Sequence, residues 1–381
     1  MDPLRGLSVE YLRTDFLRDM GVDDSSKARV YDIEPKIRAQ SEQRCPRDNQ
    51  HGAAFVDVAP DPYAGRATVM LSYGWGYCVI DIVRALEAYC DRNELDPREV
   101  RVWICCLCIN QHRVKEAQQR GESVPFAEFE KAFGSRVRGI GRVLALLSPW
   151  ASPLYLTRVW CIYELFVADG TEGVTLELIL PRREADAFTE TFAAHGIQAV
   201  WDTVAAVKVE NAQASVESDR ENIFALVRSG PGFARLDKVV VERVQQWFLE
   251  AGRAALRNLT AVATYVGFLS GEACVGLERA DEILGIGAEL VRLYVELGQF
   301  EEAKQIGADC AEFADWASAE ATCGYAGCLL QIGAVHSCQG DLPRALEHFQ
   351  RALAKYEAAG AGETPDAAGC LVSIGTVHSK Q

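Results

Sequence analysis

The sequence predicts an α/β domain built on a parallel sheet, followed by an all-α solenoid of helical hairpins. Two observations carry this expectation. Between about residues 66 and 180, short apolar runs alternate with stretches of helical spacing, the pattern of a sheet covered by helices on both faces. Near the C-terminus, the segment Gly327–Gln339 recurs as Gly369–Gln381, an offset of 42 residues. Self-similarity at a fixed period of this length marks a stack of like supersecondary units.

Composition bounds the function. At 381 residues there is room for two or three domains. The net charge of -15 argues against a nucleic-acid or membrane surface, since both need clustered Lys and Arg. Residues 281–381 hold fifteen Asp or Glu against six Lys or Arg. A basic protein partner would be steered there, although a solvated acidic face reads the same way. The 13 cysteines lack framed spacings, no charged-then-apolar leader opens the chain, and no apolar run reaches membrane-spanning length. The expectation is a cytoplasmic protein with reduced thiols. Cys105, Cys106 and Cys108 lack a second cluster with zinc-ligand spacing, so they are expected to be small buried hydrophobes in a strand, and no metal is expected.

Along the sheet region, Ala67–Tyr73 is a strand candidate ending at Gly74-Trp75-Gly76, and Val79, Ile82, Val83, Leu86 and Cys90 form one helical face. Val100–Cys105, Val143–Leu147 and Val174–Leu180 are further strand candidates, and Leu156–Ala168 is helical. Ligands of such sheets sit beyond the carboxyl ends of the strands. This singles out the loop at 73–78 and the polar stretch after Cys108. No glycine-rich phosphate loop is present.

The repeat reads as two helices joined by a Gly340-Asp341 turn. Cys328, Leu329, Ile332, Val335 and His336 line one stripe, and Leu342, Ala345, Leu346, Phe349, Ala352, Leu353 and Tyr356 the other. Gly333 and Ala345 lie where antiparallel helices would cross, and bulk there would force them apart. His336 and His378 recur with the repeat, which marks them as hairpin residues. Gly333, Ala345, Phe349, Ala352 and Gly375 resemble the small and aromatic positions of the tetratricopeptide repeat (TPR). The period, with Thr364-Pro365-Asp366 between units, looks like the kinesin light chain variety. The first unit is degenerate, with Val291 at the place of Gly333, and the last stops after one helix. That stop implies a piece of a longer array or a final helix that docks on another surface.

Three further motifs carry a second resemblance. They are Leu71-Ser72-Tyr73-Gly74-Trp75-Gly76, the run Val102-Trp103-Ile104 to Cys108-Ile109-Asn110-Gln111-His112, and Leu156-Thr157-Arg158 with Trp160-Cys161-Ile162-Tyr163-Glu164. Together they resemble the TIR superfamily, its protist branch most of all, and also fungal heterokaryon-incompatibility domains. Tyr73 stands where that branch has His, and Cys105 where it has Asp. The resemblance extends weakly to about 250, and Phe55-Val56-Asp57 also fits it. The implied layout is an N-terminal extension over 1–65, a TIR-like (flavodoxin-like) domain over 66–265 and about two and a half TPR units over 270–381.

The resemblance implies two functions. The sheet domain would self-associate or sense a nucleotide while the repeats recruit a protein. Alternatively it would be an NAD glycohydrolase activated by clustering, with NAD as substrate and Glu164 catalytic. Ser72, Tyr73, Trp75, Trp160, Asn110 and His112 are then the nucleotide-binding candidates. One carboxylate suits that chemistry, because an anion stabilises the oxocarbenium-like state formed as the nicotinamide–ribose bond breaks. A packing tryptophan and a carboxylate paired with Arg158 would give the same helix pattern. His112 is open to a metal or acid–base role, or to hydrogen bonds that fix the following loop Arg113–Val124, where TIR domains often meet one another.

Overall fold

Val69–Ser72 (β3) and Arg142–Leu146 (β5) are buried along almost their whole length, as central parallel strands require. They are the middle of a six-stranded sheet seen in a computed structural model that describes residues 2–121, 126–196, 201, 208–214, 217–230, 232–270 and 276–380. The other strands are β1 (Arg5–Ser8), β2 (Ala64–Arg66), β4 (Arg101–Trp103) and β6 (Thr175–Ile179), in the spatial order β2-β1-β4-β3-β5-β6. Strands β4, β3, β5 and β6 are parallel to one another, whereas β1 is antiparallel to both β2 and β4. The chain divides into two compact units, 1–186 with 203–244 and 187–202 with 245–381.

The sheet is thus mostly parallel, as the expected α/β class requires, with β1 and β2 added to it in antiparallel pairing. Residues within 1–65 supply β1, which pairs Leu7 with Val102 at the centre of one side. A four-residue strand carries too few alternations to be legible alone. Ahead of β2, helix α1 (Val30–Gln40) packs with the 41–58 stretch, which is tied down by Arg47 donating to both carboxylate oxygens of Asp57 at 2.6 and 2.9 Å. The Asp57 side chain is only 1% exposed, so truncating Arg47 strands a buried anion. Arg47→Met should destabilise the sheet unit by about 3–5 kcal/mol, read as a lower midpoint in urea; an unchanged midpoint would show that the pair contributes nothing.

Helix α2 (Val79–Arg92) links β3 to β4 and buries the expected stripe, including Val79, Ile82, Val83, Leu86 and Cys90. After β4, the expected strand to Cys105 stops at Trp103, and Cys105–Cys108 is a single helical turn. Asn110-Gln111-His112 does not end a strand but opens helix α3 (Gln111–Gln119). The Asn110 side chain accepts from the His112 and Arg113 amides, an N-cap that ends extended structure. Of the loop expected at Arg113–Val124, residues 113–119 belong to α3, and 122–124 lie outside the described residues. Helix α4 (Phe126–Ile140) leads to β5. The segment read as one helix from Leu156 is a 3-10 turn, Leu154–Thr157, followed by α5 (Val159–Asp169), which leads to β6. Helix α6 (Arg182–His195) and α7 (Glu217–Ser229) follow.

The four parallel strands follow the chain order second, first, third, fourth across the sheet. The order reverses between β3 and β5, and their carboxyl ends, Ser72 and Leu146, flank that point.

Helix α8 (Phe233–Ser270) begins in the first unit and continues into the second, which goes on with α9 (Leu277–Glu296), α10 (Phe300–Trp316), α11 (Cys323–Cys338), α12 (Leu342–Ala358) and α13 (Pro365–Lys380). The starts of α10 and α12, and of α11 and α13, are 42 residues apart. Ala345 and Phe349 are buried with Val377, and Leu330, Leu342, Leu346 and Ile374 pack around them; Ala352 is also buried. A Cβ on Gly333 would lie 2.6 Å from the Phe349 ring. The same position in α13, Gly375, has nothing within 4 Å. In the first unit bulk and smallness are exchanged, with Val291 buried on α9 and Gly307 on α10 at the register of Phe349. Leu371 and Val372 of α13 are exposed.

His336 and His348 stack across α11 and α12, with centroids 5.3 Å apart and planes 15° apart. Burial holds both imidazoles below the usual histidine range; Arg351 and His336 act in the same direction on His348, and Asp341 opposes the shift of His336. Lys304, Arg344 and Glu347 are the other charges near them. A depressed folded-state pKa means that the unfolded chain binds protons first, so stability is present above about pH 6.5 and is lost as pH falls below it. Thermal melts of the wild type should drop across that range more steeply than those of His348→Gln; parallel slopes would contradict this.

Candidate functional site

The site is assembled from two distant segments. Ser72, fully buried at the end of β3, donates its hydroxyl to Glu164 Oε2 on α5 or accepts from it, and lies 2.8 Å from the Tyr155 hydroxyl. Tyr155, also fully buried, donates to the Cys161 carbonyl at 2.8 Å. Tyr77 braces the arrangement: its hydroxyl donates to the Leu146 carbonyl at 3.0 Å and accepts from the Tyr155 amide at 2.9 Å. Serine, carboxylate and both tyrosines thus meet where the strand order reverses, the place at which open α/β sheets bind ligands.

Glu164 is half-buried as a residue, and its Oε2 meets the fully buried Ser72 hydroxyl. Burial pushes its pKa up to about 7, with the Ser72 hydroxyl acting in the opposite direction. Its interactions among the described residues include no ion pair with Arg158. The Arg158 side chain instead lies against Gly74, within 3.6 Å of where a Cβ would be.

Beside this pair, the Cys105 thiol donates to the Tyr73 hydroxyl at 3.4 Å and accepts from the Trp75 indole N–H at 3.3 Å. Trp75 is partly exposed and packs on Tyr31, with centroids 5.5 Å apart. Burial raises the Cys105 thiol above its usual range, which disfavours the nucleophilic thiolate. Trp160 is one turn before Glu164, partly exposed, and meets Tyr163 edge-on at 6.1 Å.

Asn110 and His112 are directed elsewhere. The Asn110 amide donates to the Gly52 carbonyl at 2.8 Å, and His112 Nε2 lies 3.2 Å from the Ser41 hydroxyl. The His112 ring also covers Gly52. Both residues thereby fasten the 41–54 stretch to the start of α3. Cys106 and Cys108 are buried and Cys105 half-buried; no group of three metal-ligating side chains occurs among the described residues.

Tyr155 and Tyr77 escaped the sequence reading. Tyr77 lies unnamed within the loop at 73–78, whereas Tyr155 carries no motif and only the strand order brings it to Ser72. A separate cleft of about 490 Å³ is lined by Arg13, Arg84, Arg182 and Arg183. Those guanidinium groups pair with Glu10, Asp24, Asp91 and Asp81, so it presents balanced charge.

Residues 326–359 match the tetratricopeptide repeat family. The match spans most of α11 and all of α12, the hairpin in which Phe349 covers Gly333. No curated protein matches the chain. No helix among the described residues is long and apolar enough to cross a membrane.

Proposed function

We propose that this chain is a signalling adaptor, with its TPR array holding a protein partner and its TIR-like sheet domain self-associating or sensing a nucleotide. The observation that carries the reading is the α11–α12 hairpin, which matches a repeat family and recurs at 42 residues. The acidic balance of 281–381 favours a basic partner through long-range steering. Free thiols at the described cysteines fit a reducing, cytoplasmic setting. Kinesin light chain-like repeats remain the reading of the 42-residue period. Selecting peptides from a random display library on the full chain tests the partner chemistry. Basic peptides should be enriched and should dissociate as salt is raised; enrichment of acidic peptides would overturn it.

A second reading is favoured by one feature, the Glu164 carboxyl group at the reversal of strand order. Here the sheet domain cleaves NAD when copies are crowded together, with the TPR array raising the local concentration. Ionised Glu164 would stabilise positive charge on the ribose as nicotinamide leaves, and Ser72, Tyr73, Trp75 and Trp160 would contact the nucleotide. The full chain, crowded on a surface and supplied with NAD, should release nicotinamide. No release under crowding would leave the adaptor role alone.

A further inference from the structure

We propose that Tyr155, at the Cys161 end of a proton chain that runs through Ser72, favours the acid form of Glu164. The inference concerns the site of the NAD-cleaving reading and rests on it for its consequence, though not for its test.

Three contacts lie in series: Glu164 to Ser72, Ser72 to Tyr155, and Tyr155 to the Cys161 carbonyl. Each hydrogen bond needs one proton. A serine and a tyrosine hydroxyl bring one each, and a carbonyl brings none. All three bonds exist together only when Glu164 supplies the third proton, so that every donor points from Glu164 towards Cys161. When Glu164 ionises, Ser72 turns its proton to the carboxylate and Tyr155 turns to Ser72. The Cys161 carbonyl then loses its Tyr155 bond. Ionisation thus reverses the chain and forfeits one hydrogen bond.

Two features prevent the chain from adjusting otherwise. Ser72 and Tyr155 are fully buried, so solvent does not replace the lost bond. Tyr155 is held through its amide by Tyr77, which is itself bonded to the Leu146 carbonyl of β5. Burial of Glu164 acts in the same direction. Tyr155 is then a positioning residue, acting on the carboxyl group through Ser72. A cationic pyridinium bound beside Glu164 would favour the ionised form, so substrate binding would itself expel the proton.

Carbon-13 NMR of the full chain, labelled at glutamate carboxyl and tyrosine ring carbons, tests this without NAD. The signal lost in Glu164→Gln identifies the carboxyl, and the signal lost in Tyr155→Phe identifies the ring. In the wild type both should titrate with one midpoint. Tyr155→Phe should lower the Glu164 midpoint, by up to about tenfold in proton affinity, the worth of one hydrogen bond. Ser72→Ala should raise it, because the ionised form loses a charge-assisted bond from its only donor among the described residues. If both variants raise the midpoint, Ser72 merely donates to a carboxylate and the chain is overturned. A Tyr155 signal that ignores the Glu164 titration overturns it equally, and that comparison stands even if Ser72→Ala does not fold. Absence of nicotinamide release would leave these titrations unaffected.

Discussion

Gly333→Ala should be less stable than Gly375→Ala by about 1–3 kcal/mol, although the two glycines occupy the same place in successive repeats. Both substitutions gain the same helix propensity, about 1 kcal/mol per Gly-to-Ala change, so the difference isolates packing. At Gly333 the new methyl would sit 2.6 Å from two carbons of the Phe349 ring. That ring is 3% exposed and packs with Ala345 and Val377, so it has little room to retreat. At Gly375 the methyl meets nothing within 4 Å. Urea unfolding with hydrogen exchange along α11 and α12 reads both effects. Equal stabilities would mean that the α11–α12 crossing yields enough to admit the methyl.

On the NAD-cleaving reading, nicotinamide release should rise with pH through about 7 and fall about tenfold per unit below it. The sign follows from chemistry. A growing positive charge on ribose is stabilised by a carboxylate, not by its acid, and burial shifts the carboxyl group's ionisation upward to about 7. Glu164→Gln should cut release by about 100- to 1000-fold above pH 7 and remove its rise with pH. A profile already flat at pH 6 would place the essential group elsewhere. Stability should run in the opposite direction: the folded state holds the Glu164 proton more tightly, so the sheet unit loses stability as pH climbs from about 4.5 to 7. Glu164→Gln removes that part of the slope.

The same two regions show how far the sequence can be read. The α11–α12 hairpin was legible because its contacts are local: Gly333 and Phe349 are sixteen residues apart, and a repeating helix pair writes its packing into a repeating pattern. The central strands β3 and β5 were legible because burial on both faces leaves continuous apolar runs. Strand β1 was not, since its partners Gly65 and Val102 lie far away in the chain and four residues carry no period of their own. Asn110-Gln111-His112 was misplaced for a related reason. Its polarity marks an end, but only the Asn110 cap shows that the end is the start of a helix.

By itself, the sequence determined the two architectures, the 42-residue period and the carboxylate and serine of the site. Their meeting was decided only by the tertiary structure. Ser72 and Glu164 are 92 residues apart, and the reversal of strand order sets β5 beside β3 so that Tyr155 closes between them. Desolvation and proton sharing depend on what surrounds a group in space, and so the ionisation of Glu164 is a property of the fold.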